Sequence, residues 1–138
     1  IIKNIYKTKS LPLLKLWGRA LARMKILEQE KIVYSVLGFG DFEKAGASEA
    51  DMLSVVGEFL DNISGYNIIA LLAEPFQNSE RLLLAIHEQV PAEKVLESLG
   101  TSAKLLSQAL GSYKIIEQNF TAETLENLET KLLDALKN

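Results

Sequence analysis

Apolar positions along the chain follow two different periods. Leu13, Leu14, Trp17, Leu21 and Met24 recur three or four apart, the spacing of one helical face. Ser10 stands where an N-cap accepts a backbone N–H, and Pro12 in the first turn loses only an amide that a helix start leaves unpaired. These positions predict a first helix running to about Glu28. Lys31 to Leu37 is instead β-branched and partly alternating, which predicts a strand ending at a loop, Gly38-Phe39-Gly40-Asp41. Leu53, Val56, Leu60 and Ile63 restore a helical stripe, preceded by a capping-box pattern, Ser48-x-x-Asp51, and stopped by Gly65.

Tyr66 to Ala73 and Arg81 to Glu88 are two apolar runs joined by the turn-rich segment Glu74 to Glu80, and they predict neighbouring antiparallel strands. Pro91 opens a short helix through Leu99 that Gly100 breaks, and Thr101 to Ala109 reads as a further helical turn before Gly111. Tyr113 to Gln118 predicts a last strand. Thr121 is the expected cap of a final amphipathic helix carrying Leu125, Leu128, Leu132 and Leu136. Elements in this order imply an α/β (α+β) fold, a small mixed sheet of about four to five strands flanked by helices.

The 138 residues, 48% of them hydrophobic, suffice for one domain with its own core. The absence of cysteine excludes a disulfide framework and any thiolate nucleophile or metal ligand, and by default favours the cytoplasm. Apolar runs such as Ile68 to Ala73 are far shorter than the roughly 20 residues that cross a bilayer, so no membrane partner is expected. A start at Ile1-Ile2 rather than Met suggests a fragment that lacks an N-terminal partner. The net charge of -3 hides a division: Lys3, Lys7, Lys9, Lys15, Arg19, Arg23 and Lys25 precede every acid in the chain. The basic segment attracts phosphate or carboxylate, whereas the acidic remainder repels polyanions.

Candidate chemistry is sparse. Lys15, Arg19 and Arg23 lie at i, i+4 and i+8, which stacks three positive charges on one face of the first helix. His87 is the sole histidine, so a hydrolytic metal centre or a Ser-His-Asp triad has little to build on. Gly38-Phe39-Gly40 lacks the third glycine and the following βαβ unit of a dinucleotide fingerprint and is a turn candidate. Trp17, among leucines, is expected to be an apolar anchor.

Three stretches together resemble the C-terminal half of the DHH phosphoesterases, the family of nanoRNases, pAp phosphatases and single-strand exonucleases. Leu13 to Leu21 looks like the helix leaving the catalytic domain. Gly40-Asp41-Phe42-Glu43-Lys44-Ala45-Gly46-Ala47-Ser48-Glu49-Ala50-Asp51 is similar to the family's strand end, turn with Asp and Gly-Ala, and helix opening with Asp. The paired runs Tyr66 to Ala73 and Arg81 to Glu88 resemble its hairpin. The resemblance implies a connecting helix over residues 1–29 and a DHHA1-like substrate-binding domain over 30–138. It also implies that hydrolysis, with manganese, belongs to an N-terminal DHH domain outside this chain, and that this lobe meets short nucleic acids or phosphorylated nucleotides.

On that resemblance His87, Lys104, Lys15, Arg19 and Arg23 are the candidate substrate contacts, no residue is catalytic, and a homodimer is a further candidate partner. Two departures stand out. Where the family carries Ser-x-Arg-Ser, this chain reads Ala85-Ile86-His87-Glu88, which replaces a fixed bidentate cation by an imidazole whose charge depends on pH. Where it carries Gly-Gly-Gly-His, this chain reads Thr101 to Leu110 without clustered glycine or histidine. A lobe retained for folding, interdomain packing or self-association is the alternative expectation.

Overall fold

A computed structural model describes residues 10–63, 65–100 and 102–137. Helix α1 (Leu11–Ala22) starts as its sequence dictates: the Ser10 hydroxyl accepts from the Leu13 amide at 3.2 Å, and proline occupies the first turn. It ends a turn and a half earlier than its apolar spacing predicts. Lys25–Leu27 forms strand β1 instead, because pairing with β2 (Ile32–Leu37) gives these residues a ladder that a longer helix would forgo. The Gly38 to Asp41 segment, expected as a loop, is the entry to a short helix α2 (Phe39–Ala45), whose third residue Asp41 accepts from the Gly38 amide at 2.8 Å. Gly46, at φ +69°, then closes α2 in the left-handed conformation that glycine adopts without steric cost.

Helix α3 (Asp51–Asn62) follows, with Asp51 reaching back to the Ser48 amide at 2.9 Å. β3 (Ile68–Phe76) and β4 (Ser79–His87) are antiparallel as predicted, but they run to a tight turn at Gln77-Asn78 where a longer connector was expected. α4 (Ala92–Leu99) lies between Pro91 and Gly100, as the sequence indicates. The expected helical turn after Gly100 is a strand, β5 (Ala103–Leu110), which pairs with β6 (Tyr113–Thr121) across Gly111-Ser112. Leu105, Leu106, Ala109 and Leu110 fit a helical stripe by spacing, yet the neighbouring strand supplies the hydrogen bonds that decide the matter. The final helix α5 (Leu125–Lys137) is capped by Thr124, whose hydroxyl accepts from the Asn127 amide at 3.2 Å, whereas Thr121 remains in β6.

The described residues form one six-stranded mixed sheet in the order β1-β2-β3-β4-β6-β5, in which only β2 and β3 run parallel. The α+β class is as expected, and the sheet is larger because β1 and β5 join it. Alternation along the central strands builds two cores. Val33, Leu37, Ile69, Leu71, Leu83, Ala85 and Ile115 face α1, α2 and α3, while Ile32, Tyr34, Ala70, Leu72, Leu82, Leu84, Ile86 and Ile116 face α4 and α5. α1 contributes Leu13, Leu16 and Ala20 to the first core, and Trp17 meets Phe59 edge to face at 4.6 Å, the apolar anchor expected of it. No described helix is long and apolar enough to cross a membrane.

Candidate functional site

β4 is the central carrier of candidate chemistry, because its alternation sends Arg81 and His87 to the same face as Leu83 and Ala85. Register places His87 opposite Tyr113 of β6, and the two rings meet edge to face at 5.1 Å. The Tyr113 hydroxyl donates to the Tyr66 carbonyl at 2.8 Å, and burial raises its pKa above the ordinary tyrosine value. The Gln89 amide donates to His87 Nδ1 at 3.2 Å, so in the neutral ring the proton is assigned to Nε2, the nitrogen left for a ligand. His87 lines a cavity of about 460 Å³ together with Asp61 of α3, Ser112 in the β5–β6 turn and Tyr113. Gly111, at φ +58°, keeps that turn tight, so backbone approaches the cavity at this point.

The cationic face of α1 is differently disposed. Arg19 Nη1 lies 2.7 Å from Asp41 Oδ1 and Arg23 Nη1 lies 3.2 Å from Oδ2. Asp41 is buried, and its second oxygen also holds the Gly38 amide, so one carboxylate fastens α1 to the start of α2. Two of the three stacked cations are therefore engaged within the fold, although Arg23 keeps half its side chain exposed; Lys15 is exposed. Lys104 is exposed on the outer strand β5, opposite Glu117 in register. Glu117 in turn pairs with Arg81, which also meets Glu49 Oε2 at 2.5 Å. The five candidate residues thus occupy three separate places: α1 carries Arg19 and Arg23 on Asp41 with Lys15 exposed on the same helix, His87 sits in its own cavity, and Lys104 stands beside an acid-base network. That Arg81 is a hub joining β4, β6 and the loop before α3 was missed from sequence, where an arginine in an apolar run was the only signal.

Two further features lie outside the sequence reading. Between α4, α5 and the second face of the sheet is a cavity of about 400 Å³, walled mainly by Leu72, Leu82, Phe120, Leu128 and Leu132, with Ser98, Gln118, Lys131 and Asp134 as polar members. Gln118 is already committed, since its amide donates to the Leu99 carbonyl at 3.1 Å and to Ser102 Oγ at 2.6 Å and thereby fixes the start of β5. On the same face, Tyr34 and Lys25 both donate to Glu129 Oε2, at 2.7 and 3.1 Å. Burial, then the hydrogen bond to Glu129 and its charge, push the Tyr34 pKa up to about 12. Burial acts to raise Glu129, but the bonds from Tyr34 and Lys25 and the charge of Lys25 outweigh it and hold the carboxyl below its usual range. This cluster ties α5 to β1 and β2.

Among the described residues no group of three or more His, Asp or Glu side chains is placed to hold a metal ion. The described residues therefore offer no side-chain set that fits a manganese site.

No protein-family model and no curated protein sequence matches the chain. The fold is similar to that in the crystal structure of an exopolyphosphatase-related protein from Bacteroides fragilis, with a TM-score of 0.75 at 18% sequence identity. The match covers 98% of this chain and 37% of that one, so the chain spans little more than a third of its neighbour's length. What the two proteins share at this identity is the fold: a mixed sheet with helices on both faces, recurring as one part of a longer exopolyphosphatase-related chain.

Proposed function

We propose that this chain is the DHHA1-like accessory lobe of a DHH-family phosphoesterase, and that it positions a short oligonucleotide or nucleoside phosphate for hydrolysis by an N-terminal metal-binding domain. The observation that carries this reading is the near-complete overlay of the chain on a minor part of an exopolyphosphatase-related protein. The residues that suggested the family from sequence support it too. Asp41 closes onto the end of β2, Gly46-Ala47 forms the turn, Asp51 opens α3, and β3 and β4 make the hairpin. On this reading manganese belongs to the N-terminal domain in the cytoplasm, and His87, beside Ser112 and the Gly111 backbone, takes the place of the family's phosphate-pairing arginine.

The proposal assigns the lobe positioning and no bond-making role. A guanidinium at residue 87 would grip a phosphate with a permanent charge, whereas the imidazole offers a charge-assisted hydrogen bond only when protonated. Titration of adenosine monophosphate against the wild type and His87→Arg at about pH 5.5 and about pH 8 tests this. Wild-type affinity should rise at the lower pH, and the arginine variant should bind more tightly with a flatter pH response. Wild-type affinity that follows only the ionisation of the phosphate, with no gain from arginine, would remove His87 from the phosphate site.

Two observations favour a second reading, a lobe kept for folding, interdomain packing or homodimerisation. Arg19 and Arg23 both serve Asp41, and a hydrogen-bonded strand occupies the segment where the family's glycine-rich loop would fall. Failure of the His87 titration selects this reading.

A further inference from the structure

The cavity of about 400 Å³ between α4, α5 and the sheet lies on the face opposite His87, and its size is in the range that holds small organic ligands. Leu72, Leu82, Leu128 and Leu132 are nearly closed to solvent and form its floor. Leu99, Phe120 and Ala135 are each half-buried and form walls that a ligand can reach. Alternation along β6 puts Gln118 on this face between Ile116 and Phe120, and the residue is 5% exposed.

Both N–H groups of the Gln118 amide are spent, one on the Leu99 carbonyl and one on Ser102 Oγ. A carbonyl can only accept, so the first of these bonds fixes which end of the amide is nitrogen. The other end, Oε1, accepts from no described residue and is not closed off from the cavity. An acceptor left bare in apolar surroundings costs free energy, so an occupant that supplies one donor at this point is favoured. The mouth narrows the choice further. Lys131 and Asp134 stand there about one helical turn apart, both exposed and neither engaged by another described residue. Their charges are opposite, so the entrance carries no net field that would draw in phosphate or another ion. The half-buried Phe120 ring favours an aromatic body, since aromatic pairs contribute beyond the area they bury.

We infer that this cavity binds a small neutral aromatic molecule with one ring N–H, of the indole class, with the N–H donated to Gln118 Oε1 and the ring packed against Phe120 and Leu99. Such a ligand satisfies the bare oxygen and covers the leucine floor without bringing a charge into apolar surroundings. The site is separate from the His87 cavity, and the inference does not depend on the phosphoesterase reading.

The test is an NMR titration of the 138-residue chain with indole and, separately, with benzofuran, which has the same bicyclic shape but an oxygen in place of the N–H. Saturable shifts are expected with indole at the backbone amides of Leu99, Gln118, Phe120, Leu132 and Ala135, with a Kd between about 0.1 and a few millimolar. Benzofuran should bind at least about fivefold more weakly, because it leaves Oε1 bare. Gln118→Met should erase that preference. Since this change also removes the bonds that fix the start of β5, Ala135→Trp is the second probe. Tryptophan at the half-buried wall position fills the cavity and should weaken indole binding at least about tenfold with the fold intact. Absence of saturable shifts, equal affinity of the wild type for both compounds, a preference that persists in folded Gln118→Met, or indole binding unchanged by Ala135→Trp would each overturn the inference, the first of these leaving water as the partner of Gln118.

Discussion

At the scale of single residues, the fold is fastened by a few polar groups that each serve more than one partner. Glu129 takes hydrogen bonds from both Tyr34 and Lys25, and this cluster makes a pH-dependent contribution of known sign. The Tyr34 pKa is raised from 10.0 to about 12, so the folded state favours the neutral phenol. That stability is fully present below the unfolded tyrosine value and is lost as pH rises through the folded one. Glu129 is held low, so its contribution is present above the ordinary glutamate range and is lost as pH falls through the lowered value. Tyr34→Phe should therefore cost about 1 kcal/mol at neutral pH. Between roughly pH 10 and 12 the wild type should lose that advantage and fall below the variant, since ionising the phenol there costs the folded state more than the hydrogen bond contributes. Urea unfolding followed by circular dichroism across that range measures both; a difference that stays constant would refute the assignment.

At the scale of elements, the turns carry the local strain. Asn78 and Ala122 have φ of 63° and 56°, and the two are linked by a 2.8 Å bond from the Ala122 amide to the Asn78 carbonyl. Asparagine tolerates the left-handed conformation because its side chain can bond locally, whereas alanine has no such compensation and suffers the Cβ clash, roughly 1–2 kcal/mol. Ala122→Gly removes that clash and gives back part of the gain as unfolded-chain entropy, so a net stabilisation of about 0.5–1 kcal/mol is expected. Thermal unfolding should show a rise of about 2–4 °C. An unchanged or lower midpoint would mean that the end of β6 does not hold Ala122 as described. The same balance of local and neighbouring terms explains the misread segments. Helix spacing around Leu105 and Leu110 is real, but a side chain pattern cannot reveal that β6 lies alongside with its hydrogen-bonding edge free.

At the scale of the molecule, charge is divided between a basic start and an acidic body, and Asp41 links the two by holding Arg19 and Arg23. Asp41→Ala should cost about 1–2 kcal/mol, because α2 loses its bond to the Gly38 amide while the freed guanidinium groups, already partly exposed, can rehydrate. If the α1 face meets phosphate, the same change should raise affinity for a short oligonucleotide several-fold and steepen its dependence on log salt by about one to two units. Fluorescence anisotropy over a salt series reads both quantities, and identical curves for wild type and variant would show that this face is no anion site. The start of α1 at Ser10 and Pro12, the bounds of α4 at Pro91 and Gly100, and the β3–β4 pair were all legible, because each rests on the chemistry of adjacent residues. The candidate site was legible only as separate residues: His87 could be singled out as the sole imidazole, but not its cavity with Asp61 and Ser112. Nor could the pairing of Arg19 with Asp41, 22 positions on, be read from a helical face that looked like three free cations. Composition and local patterning settled the α+β class by themselves, since apolar periodicity and backbone limits act within a few residues. Which outer segments became strands, which charges were consumed and which end of the Gln118 amide stayed bare were settled only when distant segments met, because hydrogen bonds and ion pairs depend on separation in space rather than along the chain.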